Sequence, residues 1–354
     1  MIICVRELTV YRTPGLTWGF SFAHNYTKMK VHICKCRDHL NSQGDTKMGF
    51  NFTIPDYKKI RVIIDTDAAC EADDPFAIVH GLLSPKLIVK GIVAEHFKEA
   101  GSMERSYDEI QTILDNLRED YGAHHKTTYT ELPFDIPVLK GQKGPLSADP
   151  EVSEAVTFII NEAKKEDEHP LFILCQGAIT NVAKAIMTEP EIKDKVTVIW
   201  IGTHGEAPCK APFTEFNSVN DIEAANYVLQ SGVNLWLVPS HVYITINIGI
   251  AEIQRRIGRC GKTGQHLFEN LVNYNNSSFA GWTRGESWSL GDSPAIAIAI
   301  NPGCGHYHDA TAPLVLEDTS SEVKEDNPKI RIYTDADSRY ILEDFISKLE
   351  IFTE

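Results

Sequence analysis

The sequence predicts an α/β protein built on a mainly parallel, Rossmann-like open sheet with helices on both faces. Two observations carry this prediction. From Lys59 onward, short apolar runs alternate with helix-like segments, the order expected of βα units and a parallel sheet covered on both sides. The first apolar run also ends in a cluster of carboxylates that leads straight into a helical pattern. Open α/β sheets place their ligands at such strand-end, helix-start junctions.

The elements follow in order. Arg61 and Val62–Ile64 read as a short buried strand, and residues 75–83 (PFAIVHGLL) read as a helix from their apolar spacing. LIVKGIVAE is a strand, Ser102–Asn116 is helical, and IPVLKG is a strand end. Residues 151–164 are amphipathic, PLFILCQG is a strand, and TNVAKAIMTEP begins a helix. VTVIWIG is a strand, DIEAANYVLQSG is a helix closed by Gly232, and NLWLVPS is a strand. HLFENLVNYNN and SPAIAIAINPG are helical, and the tail from Lys329 supplies a strand and a last helix. Asp335 and Asp337 read as turn and cap residues. Residues 1–57 show no sustained period and read as an N-terminal extension to a domain spanning 58–354.

Composition narrows the function. The chain has 354 residues, 43% hydrophobic and 23% charged, and a net charge of −15. That charge argues against general nucleic-acid or anionic-membrane binding, since both require a basic face. No apolar run approaches a membrane span, and no secretory signal is read at the N-terminus. Eight scattered cysteines, without a paired Cys/His quartet, read as free thiols of a cytoplasmic protein.

The richest stretch is RVIIDTDAACEADD, residues 61–74. Asp65 and Asp67 leave the strand on one face by the two-residue alternation, and Asp73-Asp74 open the helix. An acidic pair before a helix also fits a plain N-cap. Four carboxylates within ten residues repel one another unless a cation or shared proton offsets them, which favours a metal or catalytic site. Hard cations such as Ca²⁺ take oxygen-only ligation of this kind.

Three more junctions carry polar groups. In Gln176-Gly-Ala-Ile-Thr180-Asn181, Gly177 permits close backbone approach, and Thr180 or Asn181 can cap the next helix. Thr214-Glu215-Phe216-Asn217 reads as a loop that can present an acceptor and an amide to a polyhydroxyl ligand. Asp292, before Ser293-Pro294, reads by itself as an N-cap.

Taken together, Asp65-Thr-Asp67 with Asp73-Asp74, Gly177-Ala-Ile-Thr-Asn181, Glu215-Phe-Asn217 and Asp292-Ser-Pro-Ala295 resemble, in that order, the inosine–uridine-preferring nucleoside hydrolases. IPVLKGQKGPL (136–146) adds to the likeness, which runs from about residue 60 to 300. The resemblance implies the nucleoside hydrolase fold and Ca²⁺-dependent hydrolysis of the N-glycosidic bond of ribonucleosides or related ribosides, with inversion at the anomeric carbon. The implied ligands are Asp67, Asp74, Asp292 and the main-chain oxygen of Thr180. Asp67 is the implied general base, Asp73 binds a ribose hydroxyl, and Glu215 and Asn217 anchor the sugar. A homo-oligomer, dimer or tetramer, is the implied assembly.

The chain also departs from that pattern. Five residues separate Asp67 from Asp73, two more than the commonest spacing, so AACEA must bulge. Many members carry a His, the acid for the departing base, where this chain has Gly291. Cys209 replaces an expected Asn, and Glu95, His96 or Lys98 stands where Gly-Asn is usual. His204, His241 and Trp282 are candidate pocket residues, whereas Cys175, His124-His125, His306 and His308 read as structural or surface groups. Two alternatives remain open: a haloacid-dehalogenase-type phosphohydrolase with Asp65 as nucleophile and Asp67 as acid, and a non-catalytic riboside-binding relative.

Overall fold

The computed structural model describes residues 49–97, 99–124 and 134–354. Lys98, His125 and most of the 1–57 extension lie outside the described residues. The N-terminal half runs β1 (Ile60–Thr66), α1 (Asp74–Leu82), β2 (Leu87–Ala94), α2 (Ser102–His124), β3 (Val138–Lys140), α3 (Glu154–Lys164), β4 (Leu171–Cys175), α4 (Thr180–Thr188) and β5 (Val196–Ile201). Next come α5 (Phe216–Asn220), α6 (Ile222–Ser231), β6 (Asn234–Val238), α7 (Ser240–Tyr243), β7 (Asn247–Gly249), α8 (Ile250–Glu252) and α9 (Gly261–Asn275). The chain closes with β8 (Ser287–Ser289), α10 (Ser293–Ile300), β9 (Tyr307–Thr311), β10 (Leu314–Val315), β11 (Ser321–Glu322), β12 (Lys329–Tyr333) and α11 (Ser338–Phe352).

Among the described residues the main sheet has eight strands in the order β3-β2-β1-β4-β5-β6-β12-β9. All neighbours pair in parallel except β9, which runs antiparallel to β12 at one edge. Strand β1 shows why both faces are covered. Val62 and Ile64 point into a core that includes residues of α1, α2, α10 and α11, while Ile63 points into one formed with α3, α4 and α6. Each such side chain, fully buried, contributes about 1.5–3 kcal/mol. Helix starts are set locally: Ser153 accepts from Val156 N, Asp221 from Ala224 N and Asp337 from Tyr340 N. Gly232, at φ 80°, closes α6 in the left-handed conformation that a residue with a Cβ disfavours.

The sequence reading left out several short elements, among them α7, β7 and β8, and differs at two further places. Helix α2 continues past Asn116 to His124. Phe216–Asn220, expected as loop, is a short helix capped by Glu215, a five-residue element too short to show a period. Before residue 58, Phe50 is buried and Gly49 lies against Ile351 of α11.

Candidate active site

In the sheet, β1 is flanked by β2 on one side and β4 on the other, so chain order reverses direction there. Such a switch point opens a crevice at the strands' C-terminal ends. Asp67 is the first residue beyond β1, and its carbonyl accepts from Cys70 N at 2.7 Å, turning the chain back toward α1. Asp73 is the N-cap of α1 and Asp292 that of α10, yet neither side chain makes a capping hydrogen bond. Both carboxylates turn instead toward Asp74, and one oxygen from each of Asp73, Asp74 and Asp292 lies within 4.8 Å of the others. Thr66 donates its hydroxyl to Asp74. Asp67 Oδ2 is buried and has no hydrogen-bond partner.

Asp67, Asp73, Asp74 and Asp292 line an open pocket together with Cys70, Glu71, Gln176, Ile201, Glu215, Phe216, Asn217, Tyr243 and Gly291. The electrostatics follow from crowding negative groups out of water. Burial pushes Asp74 up to about 6, and burial followed by the charge of Asp74 pushes Glu71 up to about 7. Asp67, Asp73 and Asp292 are raised well above the usual carboxylate range, first by burial and then by neighbouring carboxylates. A dication held by these oxygens reverses the shift, and the orphaned Asp67 Oδ2 marks the place as short of a positive partner.

Across the pocket Glu215 is nearly inaccessible, and its carboxylate collects donors. It accepts from Thr203 N at 2.8 Å, Ser218 N at 2.9 Å, Asn217 N at 3.2 Å and the Tyr243 hydroxyl at 3.0 Å, as well as from the Ser218 hydroxyl. Asn217 spends both amide hydrogens, on Gln176 O at 3.0 Å and Ile201 O at 2.9 Å, so its own oxygen is left as an acceptor. The ends of β1, β4, β5 and β6 thereby meet in one site.

The model of the family described as inosine-uridine preferring nucleoside hydrolase matches residues 62–342. The chain belongs to that family. The pyrimidine-specific ribonucleoside hydrolase RihA of Salmonella paratyphi A is 27% identical over 246 residues, covering 66% of this chain and 75% of the relative. Among solved structures, a plant nucleoside hydrolase matches with a TM-score of 0.65 at 20% identity, covering 82% of this chain and 99% of that one. The purine-preferring ribonucleoside hydrolase from Gardnerella vaginalis matches with a TM-score of 0.65 at 21% identity, covering 83% and 99%. These last two likenesses establish the shared nucleoside hydrolase fold.

As a member of the nucleoside hydrolase family, the chain is a hydrolase acting on nucleosides. Its structure corrects two readings of the site. Asp65 lies inside β1, one register before the exit, fully buried on the opposite face from Thr66. It accepts from Asn181 Nδ2 at 2.9 Å and from the Cys175 thiol and is bonded to Glu95, so it is walled off from the pocket and cannot serve as a phosphohydrolase nucleophile. Gly177 is packed against this group: a Cβ there would lie 2.4 Å from Glu95 Oε2 and 2.6 Å from the Asp67 carboxyl carbon. Thr180 is not a pocket residue. It is the first residue of α4, where the carbonyl joins the helix ladder, and its hydroxyl donates to Asp221 at 2.8 Å and meets His96 at 2.9 Å. The residue of this turn that lines the pocket is four positions earlier, Gln176.

The other candidates stay outside the nucleoside hydrolase pocket. His204 is held by Ser240 at 2.7 Å and Phe213 O at 3.0 Å, and Cys209 pairs with Ser321 in an isolated bridge. His306 bonds to Asp335 and His308 to Glu206 on the surface. Trp282 is 55% exposed and packs on Trp288, and His241 is exposed as well. The sequence reading passed over Glu71, Gln176 and Tyr243. The five-residue insertion before Asp73 was the available signal for Glu71, whereas nothing in the local pattern around Tyr243 pointed to the site.

Proposed function

We propose that this enzyme hydrolyses the N-glycosidic bond of ribonucleosides in a Ca²⁺-dependent reaction that releases ribose and the base. The observation that carries the reading is the convergence of Asp73, Asp74 and Asp292 beside the partnerless Oδ2 of Asp67. An all-oxygen, multiply charged donor set suits a hard dication such as Ca²⁺. Asp67, Asp74 and Asp292 would hold it with the carbonyl of Gln176, whose second lone pair is not used by Asn217. When bound, the ion eases deprotonation of the attacking water and grips the ribose diol.

The chain's own residues divide the remaining work. Asp67 receives the water's proton, its free oxygen being the group available for this. Asp73 accepts a ribose hydroxyl, and the Asn217 oxygen accepts another. Glu215, fixed by its donors, sets negative charge opposite the C1′ cation that develops as the bond breaks. Attack by that water on the face opposite the departing base would invert the anomeric centre. No helix among the described residues is long and apolar enough to cross a membrane, and Cys70, Cys175, Cys209, Cys260 and Cys304 are free thiols. Free thiols suit a reducing compartment, so the reading includes a cytoplasmic location, and a homo-oligomer is the assembly that the family resemblance implies.

The test is ribose release from purine and pyrimidine ribonucleosides and from p-nitrophenyl riboside, with Ca²⁺ and after chelation. Activity should need the ion, and Asp67→Asn should fall by about 10²–10⁴-fold. Release of phosphate from p-nitrophenyl phosphate, with the ribosides untouched, refutes the assignment.

A further inference from the structure

We propose that the pocket is built for a positively charged leaving group, so that its preferred substrate class is an N-ribosylpyridinium cation. This inference rests on the N-ribosyl hydrolase reading above and names the substrate of that same site.

Three observations converge. The first is charge: the lining carries the carboxyl groups of Asp67, Glu71, Asp73, Asp74, Glu215 and Asp292 and, among the described residues, no lysine, arginine or histidine. One dication offsets two of these charges, and two lining residues, Asp67 through Oδ2 and Gln176 through its side-chain amide, bury polar atoms that have no hydrogen-bond partner. The second is the missing acid. A neutral purine or pyrimidine leaves with an electron pair on a ring nitrogen and needs a proton there. Gly291 offers no side chain to give that proton, and a Cβ there would sit tightly, 3.1 Å from Asp73 Oδ2 and 3.3 Å from Tyr243 Cδ2. The Tyr243 hydroxyl donates to Glu215 instead. The third is the insertion, which brings Glu71 to the lining together with the rings of Phe216 and Tyr243. A carboxylate and aromatic faces both attract a cation.

The chemistry balances without an acid. The C1′–N bond breaks with its pair going to the pyridinium nitrogen, which becomes neutral. Water forms the C1′–O bond and gives one proton to Asp67. The products are ribose, a neutral pyridine and that proton.

The test compares kcat/KM for nicotinamide riboside, for nicotinic acid riboside (the same ring carrying an anionic carboxylate), for uridine and inosine, and for p-nitrophenyl riboside, which needs no leaving-group acid. Nicotinamide riboside should exceed uridine, inosine and nicotinic acid riboside by at least about tenfold, and Glu71→Gln should shrink that ratio several-fold. In Asp67→Asn, calorimetry should show nicotinamide riboside binding more tightly than uridine. Cleavage of p-nitrophenyl riboside without a preference for the cation overturns the proposal and leaves the hydrolase reading standing. So does a Glu71→Gln enzyme that loses only the neutral nucleosides, since Glu71 would then be their acid. If no riboside is cleaved, the hydrolase reading fails and this proposal with it.

Discussion

The Tyr243 hydroxyl donates to Glu215 Oε1 at 3.0 Å, tying the short helix that follows β6 to the capped start of α5. Glu215 thus has two tasks on one carboxylate: it closes the first turn of α5 through the main-chain N–H groups of Asn217 and Ser218, and it faces the pocket. Tyr243→Phe removes one donor and leaves the cap. It should cost about 0.5–1.5 kcal/mol in thermal or denaturant unfolding and raise KM for a riboside more than it lowers kcat. Glu215→Ala should be worse on both counts, because it leaves the buried Thr203 N–H unpaired as well. Equal unfolding midpoints for Tyr243→Phe and the parent would show that the bond contributes nothing.

Asp292 stands at the start of α10 without capping it, so its carboxylate is available to the pocket. Asp292→Ala and Asp74→Ala should each lower Ca²⁺ affinity by more than about tenfold and abolish turnover together with it, since each removes a charged oxygen ligand. Calorimetric titration with Ca²⁺ measures this directly, and a double variant that still binds the ion tightly contradicts the ligand assignment.

Gly291 sets a steric limit on the same wall. Adding an imidazole by Gly291→His should not install a leaving-group acid, because the first added carbon already crowds Asp73 and the Tyr243 ring. The substitution should lower kcat/KM for every riboside and depress the unfolding temperature. An increase in inosine or uridine turnover would mean that the wall yields and the acid position is open.

How much of this was readable from the sequence depends on the kind of signal. The apolar runs at 61–64, 171–175 and 196–201 announced central strands, and the acidic residues at 65, 67, 73 and 74 stood out because four carboxylates crowded within ten residues repel one another, whereas Asp292 by itself reads only as a cap and joined them through the ordered motif set. The site's depth was less legible. Asp65 lies one residue inside the strand end, buried against Asn181, Cys175 and Glu95, while Asp67, the first residue past the end, lines the pocket, and sequence cannot say where a strand stops to that precision. Thr180 differs for a similar reason: the chain has already entered α4 at that residue, and the residue of the turn that lines the pocket is Gln176. Tyr243 reaches Glu215 only through the packing of α7 after β6, a tertiary relationship that leaves no periodic trace. The antiparallel pairing of β9 with β12 was likewise invisible, because edge strands carry no signature of their partner.

The crowded carboxyl groups make stability depend on pH in a direction opposite to that of ordinary surface acids. Asp74 is raised to about 6 from an ordinary 3.8 and Glu71 to about 7 from 4.5, both chiefly by burial. Without a metal, the folded state holds these protons at pH values where the unfolded chain has released them. Stability from these groups is therefore full below about pH 4 and is lost as pH rises through 6 to 7. The metal-free protein should melt at a higher temperature at pH 5.5 than at pH 7.5, provided that the change is read against a variant with Asp74 replaced by Asn. Ca²⁺ binds the deprotonated carboxylates of the folded state, so it should raise the melting temperature more at pH 7.5 than at pH 5.5. At a free concentration one hundred times its dissociation constant the gain is about 2.7 kcal/mol. A metal-free protein whose stability climbs steadily from pH 5.5 to 7.5 would mean that these carboxyl groups are ionised and already neutralised by some other charge.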